Sequence, residues 1–197
     1  MNLIFATNNL HKLDEIRVLT HNRIRILGLS EAGFQGEIPE EYPTLEQNAS
    51  QKAWYIYNRL NQNCFADDTG LEVEALDGAP GVYSARFSRI GELQYPELDV
   101  TAGNIKKLLA MLEGKTNRRA RFRTVISIIV EGQETQFEGV VNGTIASVES
   151  GTRGFGYDPV FVPDGETRTF AEMNIGKKNK ISHRGVATNK LVDFLNL

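Results

Sequence analysis

The acidic doublet Asp67-Asp68, in "FADDTG", is the sharpest chemical signal in this sequence. Two neighbouring carboxylates repel each other, which raises one pKa or calls for a cation. Mg2+ suits such a pair, because it accepts one or two carboxylates and keeps water and phosphate oxygens as its other ligands. Glu40 and Glu41 in "PEEYP" offer a further carboxylate. A solvated turn would also account for adjacent aspartates. Three other stretches carry chemistry. "TNNLHK" (7–12) reads as a polar turn entering a helix, where open N–H groups and the helix dipole favour an anion and Lys12 adds charge. "GFGYDPVF" (154–161) sets glycines on both sides of Phe155, which allows close backbone approach and offers a ring for stacking on a base. A tight turn with core aromatics at Tyr157 and Phe161 is the plainer reading of that loop. "KKNKISHRG" (177–185) gathers Lys, Arg and His donors suited to phosphate and carbonyl oxygens, although a charge run is most often a solvated face. Together the four describe a nucleoside triphosphate with its metal.

These residues need elements to hold them. "LIFAT" (3–7) reads as a buried strand, followed by a helix capped by Asn8 or Asn9 with Leu10, Leu13, Ile16 and Leu19 on one face. A second strand is expected over 23–29. A helix over 44–60 carries a capping box of Thr44 and Gln47 and an apolar stripe of Leu45, Ala49, Ala53, Ile56 and Leu60. "CFADD" and "LEVEAL" read as two strands broken at Thr69-Gly70, so that both aspartates stand at a strand end and can turn towards one site. Residues 78–88 and 151–165 read as glycine-rich loops, 99–114 as a helix stopped by Gly114, and 120–148 as a hairpin turning at Gly132. A last helix begins near Ser182 with Val186, Leu191, Phe194 and Leu195 on its apolar face. Strand–helix alternation followed by a long antiparallel pair predicts a mixed α/β sheet in two lobes, with polar loops facing a cleft.

Bulk properties narrow the classes. The 197 residues carry a net charge of −3, with 41% hydrophobic and 24% charged. No global basic field exists, which argues against duplex nucleic acid as partner. One cysteine, Cys64, excludes an intramolecular disulfide framework and reads as a small buried hydrophobe. The N-terminus lacks the pattern of a signal peptide and no apolar run reaches membrane-spanning length, so a cytoplasmic protein away from membranes is expected.

The motif order "FATNNxxK", "ExxxTxxxNAxxKA", "ADDTGL", "GAPGVYSAR", "GFGYDPVF" and "KxxISHRG" resembles the inosine triphosphate pyrophosphatase family, from Thr7 to the final helix. The resemblance implies a mixed α/β fold with a long curved sheet, flanking helices and two lobes around a substrate cleft, the whole chain being one catalytic domain. It implies a homodimer that hydrolyses ITP, dITP and XTP to the monophosphate and pyrophosphate with Mg2+, clearing deaminated purines. Matched residue by residue, Thr7, Asn8, Asn9, Leu10, His11 and Lys12 take the phosphate-binding turn, with Asn8 where the family usually has glycine. Lys52 matches a phosphate-touching lysine, Asp68 the catalytic acid and a metal ligand, and Thr69 a Ser/Thr beside the substrate. Glu40 matches the metal-binding glutamate, although the usual E-T-G reads "EEY" here and leaves Glu41 as the other choice. Phe155, Gly156, Tyr157, Asp158, Lys178, His183 and Arg184 match nucleoside-recognition positions, and Arg86 a motif arginine. The sequence leaves open whether Asp67 or Asp68 handles the water. A noncatalytic nucleotide sensor and a pyrophosphatase for modified pyrimidine triphosphates are the competing readings; the intact doublet opposes the first, and "SHRG" with "GFGYD" opposes the second.

Overall fold

The computed structural model describes residues 2–20 and 24–196. Along the chain run β1 (Asn2–Phe5), α1 (Leu10–Leu19), β2 (Arg25–Leu27), α2 (Leu45–Leu60), β3 (Cys64–Val73), β4 (Pro80–Gly81), α3 (Val100–Met111), β5 (Arg119–Val130), β6 (Gln133–Ile145), β7 (Phe161–Pro163), α4 (Ile175–Ile181) and α5 (His183–Phe194). The fold is mixed α/β: β1 pairs in parallel with β2 and β3, whereas β4 on β3 and β7 on β6 are antiparallel. Two compact units divide the chain. The first takes the chain up to Asp68, Thr124–Gly139 and the segment from Ser182; the second takes Thr69–Arg123 and Val140–Ile181. The expected beginning of the second strand at Arg23 lies outside the described residues.

The period-2 alternation of a strand explains the first unit. Leu3, Phe5 and Phe65 pack with Leu13 and Ile16 of α1 and Ala187 and Leu191 of α5. The intervening residues Ile4, Cys64 and Ala66 pack instead with Ala53 and Ile56 of α2. Each face of β1 and β3 is thus covered by its own helices. The predicted caps form: Asn9 accepts from the Lys12 N–H, Thr44 from that of Gln47 and Ser182 from that of Gly185. Leu10, expected on the core face of α1, is 73% exposed, because it is the first residue after the cap, and Phe194 is likewise exposed. The second unit has its own core of Leu71, Val73, Phe87, Ile105, Leu108, Phe122, Phe161 and Phe170 among others.

Several expectations are corrected. β3 is not broken at Thr69-Gly70; it runs unbroken through Asp67, Asp68, Thr69 and Gly70. Gly70 is there because β4 comes close: a Cβ on it would lie 2.7 Å from the Gly81 carbonyl oxygen. Glycine marks a close strand approach here, not a turn. The loop over 78–88 contains β4 and a 3-10 turn at Ser84–Arg89, and the loop over 151–165 contains β7. "KKNKISHRG" is divided between two helices. Lys177–Ile181 end α4 in the second unit, and Ser182 caps α5 in the first. The hairpin turns as predicted, with Glu131 and Gly132 both at positive φ (50° and 79°) between β5 and β6, the backbone of a two-residue type I′ turn.

Gly139, near the end of the β6 portion in the first unit, seats the start of α5. A Cβ there would lie 2.0 Å from the His183 carbonyl oxygen and 2.5 Å from the Ala187 nitrogen. Both obstacles are backbone and cannot rotate away. Gly139→Ala is therefore expected to cost about 1–3 kcal/mol, the usual range for overpacking, read as a lower urea midpoint with unchanged slope.

Candidate active site

The two aspartates occupy the middle of a strand, so their side chains diverge to opposite faces. Asp67 continues the Phe65 face towards α1 and α5. Its Oδ1 accepts from Lys12 Nζ at 2.9 Å, and its Oδ2 lies 3.4 Å from Nε and Nη2 of Arg184. Asp68 continues the Cys64–Ala66 face towards α2. Its Oδ1 accepts from Lys52 Nζ at 2.9 Å and its Oδ2 from Asn48 Nδ2 at 3.3 Å. The expectation that a turn brings both carboxylates to one point is thus corrected: each has its own lysine.

Lys52 also donates to Glu40 Oε1 at 2.5 Å, so Glu40 and Asp68 converge on one ammonium. Glu41 faces away and accepts from Gln51 Nε2. Arg184 is 1% exposed, and its Nη1 donates to Glu15 at 2.5 Å. Where the sequence suggested a guanidinium aimed at a base, the structure holds it between two carboxylates of its own unit.

Charge environments separate the aspartates. Burial opposes ionisation of Asp67, but Lys12, Arg184 and Lys52 overcome it and hold the carboxyl well below the usual range. Asp68 is shifted upwards: burial dominates, opposed by Lys52 and Lys12. Burial lowers Lys12 despite Asp67, whereas Lys52 is raised, burial being outweighed by Asp68 and Glu40. Asp67 is held as an anion; Asp68, shifted upwards, is the better proton acceptor of the two.

At the turn, Thr7 Oγ1 accepts from the Asn9 N–H. Asn8, Asn9, Leu10 and His11 are exposed. The Asn8 amide, in the usual glycine position, donates to the Gly36 carbonyl and ties the turn to the loop leading to Glu40. His183 lies buried at the head of α5.

In the second unit, Asp158 Oδ2 accepts from Lys178 Nζ at 2.7 Å and from the Phe155 N–H at 2.9 Å. Lys178 Nζ also stands 5.1 Å from the Phe155 ring centre. Gly154 makes room for this carboxylate, since a Cβ there would meet Asp158 Oδ2 at 1.9 Å. Gly156 opens onto space at φ +60°. Tyr157, expected as a ligand contact, has its ring in the core and its hydroxyl on the Ser84 carbonyl, with burial pushing the phenol up. Thr69 is half-buried in β3, and Arg86 lies over the Tyr83 ring.

Two residues were missed. Asn48 sits four positions before Lys52 on α2, and Glu15 three positions after Lys12 on α1. Side chains at those spacings share a helix face, and that was the available signal.

The fit of a divalent cation can be judged from the donors. Glu40 and Asp68 supply hard oxygens that already meet on one cationic atom. Among the described residues no group of three or more His, Cys, Asp or Glu side chains converges. The two carboxylates alone are a donor set that a hard divalent cation can use when water and phosphate complete its shell. The first unit also sets Lys12, Lys52 and Arg184 against Glu15, Glu40, Asp67 and Asp68. Three cations against four carboxylates leave no positive surplus for a polyphosphate, which a bound dication would provide.

Fold and site therefore define an α/β protein with an acid–lysine centre suited to metal-assisted phosphate chemistry. The chain belongs to the Ham1 family, whose profile matches residues 3–194. A dITP/XTP pyrophosphatase of Porphyromonas gingivalis is 51% identical over 194 residues, covering 98% of this chain and 96% of that protein. One from Thermoanaerobacter sp. is 41% identical over 198 residues, covering 99% and 96%. The structure of the Staphylococcus aureus Ham1 protein superposes with a TM-score of 0.85 at 38% identity, covering all of this chain and 98% of that one. A Ham1 protein from Coxiella burnetii gives 0.87 at 33% identity with the same coverage. No described helix is long and apolar enough to cross a membrane.

Proposed function

We propose that this chain is a nucleoside triphosphate pyrophosphatase that hydrolyses ITP, dITP and XTP to the monophosphate and pyrophosphate. The observation that carries the reading is the Glu40–Lys52–Asp68 cluster, in a chain half identical to a dITP/XTP pyrophosphatase. Water attacks the α-phosphorus; the new P–O bond forms as the bond to the β-phosphate bridging oxygen breaks, and pyrophosphate leaves. Asp68 orients the water and takes its proton, being the carboxylate shifted towards neutrality. Lys12, Lys52 and the positive end of α1 at the Thr7–Lys12 turn stabilise charge developing on the phosphates. Glu40 and Asp68 would hold Mg2+, which when bound neutralises phosphate oxygens. The chain is read as one catalytic domain, working as a cytoplasmic homodimer on free nucleotides, with no nucleic acid as substrate.

Base selection is assigned to Phe155, Asp158 and Lys178 of the second unit, while Arg184 stays the counter-ion of Glu15 and Asp67. Donors facing purine position 6 accept a keto oxygen. The adenine amino group would set donor against donor, and such a mismatch in a polar site costs orders of magnitude in kcat/KM. A pyrophosphate-release assay over ITP, dITP, XTP, ATP and modified pyrimidine triphosphates, with and without Mg2+, tests the reading. At least about 10²-fold preference for the keto purines over ATP is expected. Equal rates on ATP would refute the base assignment, and binding of ITP without pyrophosphate release would make the chain a sensor.

A further inference from the structure

Lys52 is expected to touch phosphate, yet its ammonium is already occupied by both carboxylates assigned to the metal. Nζ lies 2.5 Å from Glu40 Oε1 and 2.9 Å from Asp68 Oδ1, on a side chain only 6% exposed. Asn48, one helical turn earlier, holds the other oxygen of Asp68 and keeps that carboxylate facing α2. The neighbouring lysine offers no relief, since Lys12 is paired with Asp67. A dication seated on the same two oxygens would stand in direct contact with an ammonium, and like charges at contact distance oppose each other strongly in a buried setting. The ammonium can leave without becoming an unpaired buried charge only if another anion receives it.

We propose that Lys52 is the built-in counter-ion of the Glu40–Asp68 pair, released only to an arriving polyphosphate, so that metal and nucleotide are taken up together. The inference rests on the reading of Glu40 and Asp68 as the metal-holding pair. The exchange conserves pairing: Lys52 passes from two carboxylates to phosphate as the dication passes to the carboxylates. Because such coupling is reciprocal, metal must tighten nucleotide binding by the same factor that nucleotide tightens metal binding.

The test is Mn2+ binding to the full chain, followed by electron paramagnetic resonance, with and without a dITP analogue whose α,β-bridge is a nonhydrolysable imide. Wild type is expected to bind Mn2+ at least tenfold more tightly with the analogue than without. Lys52→Met and its polar counterpart Lys52→Gln should bind Mn2+ at least tenfold more tightly than wild type in the absence of nucleotide, whereas Lys52→Arg should not. Two substitutions that remove the charge guard against one failing to fold, and circular dichroism melting identifies a folded variant. If folded Lys52→Met or Lys52→Gln binds Mn2+ no better than wild type, the inference is overturned while the proposed function stands. If the Asp68→Asn variant with the analogue binds Mn2+ as tightly as wild type does with the analogue, the carboxylate pair is not the metal site, and the mechanistic reading fails together with the inference.

Discussion

Asp68→Asn is expected to lower kcat for pyrophosphate release from dITP by about 10²–10⁴-fold, the range that a positioned general base contributes. The amide keeps the shape and can still meet Lys52 and Asn48, but it cannot take a proton. Stability should change little, because Glu40 remains on Lys52. Single-turnover rates at saturating dITP and Mg2+, with a urea titration of the same sample, separate chemistry from folding. Turnover near wild type would remove Asp68 from the mechanism. The pH profile gives a second readout. Asp68 must be ionised to act, and its pKa is shifted upward by burial. The acid limb of kcat/KM should therefore fall at a pH above the ordinary aspartate value of about 3.9, and that limb should vanish from the residual activity of Asp68→Asn.

Asp67→Asn is expected to do the opposite, costing about 3–5 kcal/mol of stability, as when one partner of a buried ion pair is removed. Lys12 would lose the carboxylate it is paired with, and fully buried Arg184 would lose one carboxylate while keeping Glu15. Urea unfolding at pH 7 measures the loss. The sign with pH follows from the depressed folded pKa of Asp67. Its stabilisation is complete above the unfolded value, about 3.9, and is lost as pH falls from there through the folded pKa. The gap between wild type and Asp67→Asn should be constant at neutral pH and narrow only below about pH 4. A variant as stable as wild type would show that Lys12 and Arg184 are not held by Asp67.

The doublet shows what was legible in sequence and what was not. Its apolar neighbours made "CFADD" readable as a strand, and the capping residues Asn9, Thr44 and Ser182 announced the helices that carry Lys12, Lys52 and Arg184. The glycine at position 70 misled, because a glycine that lets β4 approach looks in sequence like one that makes a turn. "KKNKISHRG" misled for a related reason: its charges are contiguous in the chain, but Ser182 caps a new helix and divides them. Leu10 misled because helical periodicity does not show where a helix has only just begun.

By itself, the sequence determined the chemical types: paired acids, two lysines one helix apart, an aromatic–glycine loop and a strand-rich middle. It determined them because capping, alternation and turn geometry act within a few residues. Only the tertiary structure decided the partners. Alternation along β3 sends Asp67 to α1 and α5 and Asp68 to α2, and the packing of those helices on opposite faces determines which cation each meets. That division makes one aspartate a permanent structural anion and leaves the other shifted towards neutrality, a difference no property of two adjacent identical residues could carry.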